Sequence, residues 1–181
     1  MVERLKSEYD VAVEWKPFFL HPEMPPEGME LPAAIRARMA GTHERLLQMA
    51  HAAGMEMVFS EHLPNSRRAL EVTEYARAPG KGLEFHRAVF RKFYGEGQDI
   101  SRWDVLRAAA QEVGLDADAM QRETESGSFT AGFDAQIEEA YSLGIEGVPT
   151  YILNDKYAIV GAQPYEVFKR AIARLEKEHL Q

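Results

Sequence analysis

No residue of this 181-residue chain is a cysteine. That excludes disulfides, thiolate nucleophiles, Cys-type zinc sites and iron–sulfur clusters within it. Long apolar runs are also missing: nothing approaches the ~18 residues that a membrane-spanning helix needs. The opening stretch, Met1-Val2-Glu3-Arg4-Leu5-Lys6-Ser7-Glu8, lacks the apolar core of a secretory signal, so a cytoplasmic location is expected. Basic charge is in deficit, with 21 Lys and Arg against 29 Asp and Glu and a formal charge of −8. A nucleic-acid footprint is normally basic and clustered, so neither nucleic acid nor membrane is an expected partner. Thirteen glycines and nine prolines without a period exclude a collagen-like chain. A composition of 45% hydrophobic and 28% charged residues belongs to a globular protein whose core needs no covalent staple.

Local patterns divide the chain into a mixed front, a long helical middle and a β-rich end. Residues 1–8 read as the last turns of a helix without a capping residue ahead of it, and 11–16 as a short strand with apolar residues at 11, 13 and 15. Prolines at 22, 25, 26 and 32 make 21–32 a loop. Helical periodicity follows: Ile35, Met39, Leu46 and Met49; then Leu70, Val72, Tyr75 and Ala76; then Phe85, Val89, Phe90 and Phe93. Ser101-Arg102-Trp103-Asp104 resembles a capping box before Val105 and Leu106, and Asp116 or Asp118 is placed to cap a short helix carrying Met120. Thr130 opens a last helix of this block. Thr150–Leu153 and Tyr157–Val160 are β-rich runs across Asn154-Asp155-Lys156, a hairpin signal, followed by an amphipathic helix with Val167, Phe168, Ile172 and Leu175.

Most residues able to carry chemistry have plain structural readings. His43, His51, His62 and His86 show no metal-ligand spacing, so no metal is expected. Glu138 and Glu139 are adjacent on a helix and do not face each other. Arg67-Arg68 near a helix start serve as surface ion pairs. No nucleophile elbow or phosphate loop is present. The sharpest segment is Gly144-Ile145-Glu146-Gly147-Val148-Pro149-Thr150, which sets a proline at the first position of a buried strand, where a missing ladder donor is tolerated. Taken alone, such a proline is ordinarily trans.

Residues 144–172 carry Gly147-Val148-Pro149-Thr150, Asn154-Asp155-Lys156-Tyr157, Gly161-Ala162-Gln163-Pro164 and Val167-Phe168. In this they resemble the C-terminal half of the DsbA-like thioredoxin-fold oxidoreductases, FrnE-type branch. Trp15-Lys16-Pro17-Phe18-Phe19-Leu20-His21-Pro22 is similar to that family's second strand and following loop, and Asn65-Ser66-Arg67-Arg68-Ala69 to a helix start in its inserted domain. The resemblance implies a cis Val148–Pro149 bond and an α/β thioredoxin-like fold, incomplete at the N-terminus, with a large all-helical insertion. Residues 1–32 and 146–181 are then the thioredoxin-like domain, and 33–145 the insertion. Family members begin with a strand leading into Cys-x-x-Cys. This chain starts inside the helix that would follow, so a longer parent sequence is expected.

The function implied is protein disulfide oxidation and reduction, with this chain the cysteine-free part and inactive in exchange alone. Whether it is itself an enzyme stays open on the residues; no catalytic residue and no cofactor are assigned. The implied substrate-binding residues are Gly147, Val148, Pro149, Thr150, Phe18 and Phe19. The partner is a thiol- or disulfide-containing polypeptide or a small thiol. Two alternatives stand beside this. One is a glutathione-dependent isomerase or transferase of the kappa or 2-hydroxychromene-2-carboxylate isomerase type, against which Gly161-Ala162-Gln163-Pro164 speaks. The other is a non-catalytic peptide-binding module. Without a first strand, 11–16 is expected either to pair antiparallel with 150–153 or to drive homo-oligomers through exposed sheet edges.

Overall fold

The computed structural model describes residues 1–179. In chain order its elements are α1 (Val2–Glu8), β1 (Met29–Glu30), α2 (Ala33–Ala52), β2 (His62–Leu63), α3 (Arg67–Arg77), α4 (Gly82–Phe90), a π-helical turn (Arg91–Gly95), α5 (Trp103–Glu112), α6 (Ala117–Glu125), α7 (Thr130–Ser142), β3 (Thr150–Leu153), β4 (Tyr157–Val160) and α8 (Tyr165–His179). Among the described residues they form a mostly helical fold with two small two-stranded sheets. The chain separates into two compact units. One holds residues 1–20 and those from Gln136 onward; the other holds 21–135, and α7 carries the chain from one to the other.

The unit of residues 21–135 is built on α3 to α6. Ala69, Val72 and Ala76 of α3, Phe85, Ala88 and Val89 of α4, Leu106, Ala109 and Ala110 of α5, and Met120 of α6 recur at three- and four-residue spacing and form one buried cluster. Burying each larger side chain contributes about 1.5–3 kcal/mol. Asp116 caps α6 as its position suggests, its carboxylate accepting from the N–H groups of Asp118 and Ala119 at 3.0 and 2.9 Å. The box expected at Ser101 does not form. Asp99 accepts from the Ser101 N–H and hydroxyl at 2.8 and 2.6 Å, and Asp104 is taken by Arg102 at 3.0 and 2.9 Å. A charged guanidinium fork outcompetes a neutral backbone donor for that carboxylate.

The proline-rich loop enters an unexpected pairing with residues beyond α2. β1 and β2 are antiparallel, Met29 opposite Leu63 and Glu30 opposite His62. Gly28 makes it feasible, with φ of +76° and no room for a side chain: a Cβ there would lie 2.5 Å from the Leu63 carbonyl oxygen. Asn65 ties the loop down, its amide donating to the carbonyls of Met24 and Pro25 at 2.8 and 3.2 Å.

In the other unit, β3 and β4 form a hairpin with Thr150 opposite Val160 and Leu153 opposite Tyr157. Asn154 and Asp155 turn it with φ of 48° and 55°, a left-handed conformation that these two residue types tolerate. Leu5 of α1, Ile159 of β4, and Phe168 and Ile172 of α8 are buried together, with Tyr151 and Leu153 packed on them. The Tyr151 and Phe168 rings meet edge to face at 4.8 Å. Residues 11–16 are not a strand. They run without regular structure, and β3 pairs with β4 alone, so neither a ladder from 11–16 nor its antiparallel pairing with 150–153 exists among the described residues. Alternating apolar residues supply one face of a strand, but a strand also needs a neighbour to accept its hydrogen bonds.

Candidate functional site

The hairpin decides which backbone groups the site offers. Gly161 donates its N–H to the Pro149 carbonyl at 2.8 Å. In an antiparallel pair bonding positions alternate, so Tyr151 and Leu153 point their N–H and C=O groups at β4, while those of Thr150 and Ile152 point to the outer edge of β3. No strand covers that edge among the described residues. Just ahead of it the Val148–Pro149 peptide is cis. Val148 is 56% exposed, and neither its N–H nor its carbonyl has a hydrogen-bond partner among the described residues. Pro149 is exposed as well. Thr150 steadies the approach, its hydroxyl donating to the Gly147 carbonyl at 2.7 Å.

The structure places the two aromatic candidates differently. Phe18 is half-buried and packs edge to face on Tyr141 at 5.7 Å. Phe19 is only 7% exposed, so its ring offers no open surface; its carbonyl accepts from the Tyr141 hydroxyl at 3.3 Å. Lys16 pairs with Glu139 at 3.1 Å, a second tie between this segment and α7. Hydrogen bonding to Glu139 is the main cause that raises the Lys16 pKa. The sequence marks neither Tyr141 nor Glu139 as an anchor: Glu139 reads with Glu138 as a solvated pair, and Tyr141 as one more apolar residue of its helix. Side-chain complementarity across 123 residues of separation leaves no local signal. Leu20, Tyr141, Leu143, Val148 and Ile152 are all exposed apolar groups of this unit.

Chemically the site can donate and accept one backbone hydrogen bond at Val148 and more along the β3 edge, the requirement for adding an extended segment. It contains no sulfur nucleophile, because the chain has no cysteine. Among the described residues no cluster of three or more His, Cys, Asp or Glu could hold a metal. His62 lies in the other unit, its Nδ1 3.1 Å from Glu30 and its Nε2 3.6 Å from Asp99. No described helix is long and apolar enough to cross a membrane.

The family described as the DSBA-like thioredoxin domain matches residues 1–173. The uncharacterized protein YwbO of Bacillus subtilis is 33% identical over 180 residues, covering 97% of this chain and 88% of YwbO. The 2-hydroxychromene-2-carboxylate isomerase of Sphingobium xenophagum is 30% identical over 82 residues, 45% of this chain and 42% of the isomerase. Among solved structures, a probable DsbA oxidoreductase of Streptomyces coelicolor superposes with a TM-score of 0.80 at 22% identity. That match covers 90% of this chain and 74% of the other.

Proposed function

The chain belongs to the DSBA-like thioredoxin family, and from that premise we propose that it serves thiol–disulfide exchange as the part that holds an extended, thiol- or disulfide-bearing polypeptide. Exchange proceeds by thiolate attack on a disulfide sulfur through a mixed disulfide. This chain has no sulfur nucleophile of its own, so its contribution is binding and alignment, with the reacting sulfurs on its partners. The observation that carries the reading is Val148: exposed, with both backbone groups free among the described residues, at the head of an open strand edge. Gly147, Pro149 and Thr150 shape that edge, Phe18 flanks the segment held by Tyr141, and Phe19 supports it from within.

The test combines turnover and binding. The purified chain is expected neither to reduce insulin disulfides nor to oxidise a dithiol peptide, yet to bind a fluorescently labelled extended peptide. Methylating the peptide amides that pair with the edge should weaken binding. Two lost bonds at about 0.5–1.5 kcal/mol each correspond to roughly 5- to 150-fold. Turnover by the cysteine-free chain, or binding indifferent to amide methylation, would overturn the reading.

The 82-residue similarity to the 2-hydroxychromene-2-carboxylate isomerase supports a second reading, a glutathione-dependent isomerase. Isomerisation of that substrate by the purified chain with glutathione would select it.

A further inference from the structure

We propose that Glu146 makes the Val148 edge selective for cationic polypeptides. The inference rests on the reading of Val148 given above and names the class of polypeptide that fits it.

Glu146 is exposed and has no ion-pair or hydrogen-bond partner among the described residues. It stands two residues before Val148, so the two Cα atoms are at most ~7 Å apart. That is within a Debye length of ~8 Å at physiological ionic strength, close enough for its charge to act on a polypeptide lying along Val148. No cation stands close to it along the chain. From Gln136 to Asp155 the sequence has four acids, Glu138, Glu139, Glu146 and Asp155, and no Lys or Arg. Lys16 reaches this stretch from outside it and is engaged by Glu139 at 3.1 Å and Glu14 at 3.5 Å. Lys156, the next cation along the chain, lies 3.6 Å from Glu178. The chain as a whole carries −8, so the background field has the same sign. Val148 and Ile152 expose apolar side chains along the same edge. The matching ligand is therefore an extended segment with apolar residues and a Lys or Arg near the position opposite Glu146. A polyanion meets like charge there and is disfavoured.

The experiment uses the whole chain and three kinds of labelled extended peptide: neutral, with one Lys, and with one Glu, the charge moved through successive positions. At low salt the best Lys peptide should bind roughly 1.5- to 5-fold more tightly than the neutral one, the range of a single exposed ion pair, and the Glu peptide more weakly. At 0.5 M salt the differences should shrink towards nothing, since screening acts on exposed charges. In Glu146→Gln the Lys preference should disappear, and in Glu146→Lys it should invert. Equal affinities for the Lys and Glu peptides at low salt would overturn the inference while leaving the Val148 reading standing. So would a Lys preference that survives in Glu146→Gln. Failure of all three peptides to bind would overturn the Val148 reading, and this inference with it.

Discussion

At the scale of single residues, the useful distinction is between groups whose chemistry is spent inside the fold and groups left over. Asp116 is spent, with two N–H groups on its carboxylate. Phe19 is spent, buried with its carbonyl bonded. Val148 is left over. His86 on α4 is an intermediate case: it is half-buried and its ring lies 4.3 Å from that of Phe90. Burial pushes its pKa below the ordinary 6.5, with a smaller contribution from Arg87. The fold thus favours the neutral ring, and this contribution is complete above about 6.5 and lost as pH falls. We predict that the urea midpoint drops further between pH 7.5 and pH 5 in the wild-type chain than in His86→Gln. Equal drops would show that the imidazole is not held neutral.

Among elements, the hairpin and α8 were legible because each announces itself locally. Asn154-Asp155 can turn left-handed, β-rich runs flank them, and Phe168, Ile172 and Leu175 recur on one helical face. What was not legible depends on partners far along the chain. Residues 11–16 have a strand's alternation but no ladder, and Met29–Glu30 has a ladder with no alternation to advertise it. The helix expected through Phe93 widens into a π turn after Phe90, where Lys92 turns inward to meet Glu112 at 2.7 Å. An ion pair between α5 and this turn leaves no periodic trace in the sequence. The difference between edge and coil is measurable by amide hydrogen exchange. The N–H groups of Ala12, Val13 and Glu14 should exchange rapidly, while those of Tyr151 and Leu153, directed at β4, should be protected. Protection of 12–14 equal to that of Tyr151 would reveal a ladder formed between copies of the chain.

Taken as a whole, the molecule combines a family fold with a chain that has no cysteine. The thioredoxin-like character was readable in Gly147-Val148-Pro149-Thr150 and the turn at Gly161-Ala162-Gln163-Pro164, and the match over residues 1–173 agrees with it. The open face of the candidate site was only half readable. Sequence marks Val148 and Pro149, but the exposure of Val148 and the burial of Phe19 follow from packing around Tyr141 and β4. With no cysteine in the chain, the proposed role is tested by binding at the Val148 edge. The most direct test is an amide-resolved NMR titration of the full chain with an extended, Lys-containing apolar peptide. The largest shifts should fall on Gly147, Val148, Thr150 and Ile152, with Val148 and Ile152 gaining protection as their free backbone groups find partners. Shifts confined to residues 21–135, or a bound peptide that leaves Val148 unperturbed, would contradict it.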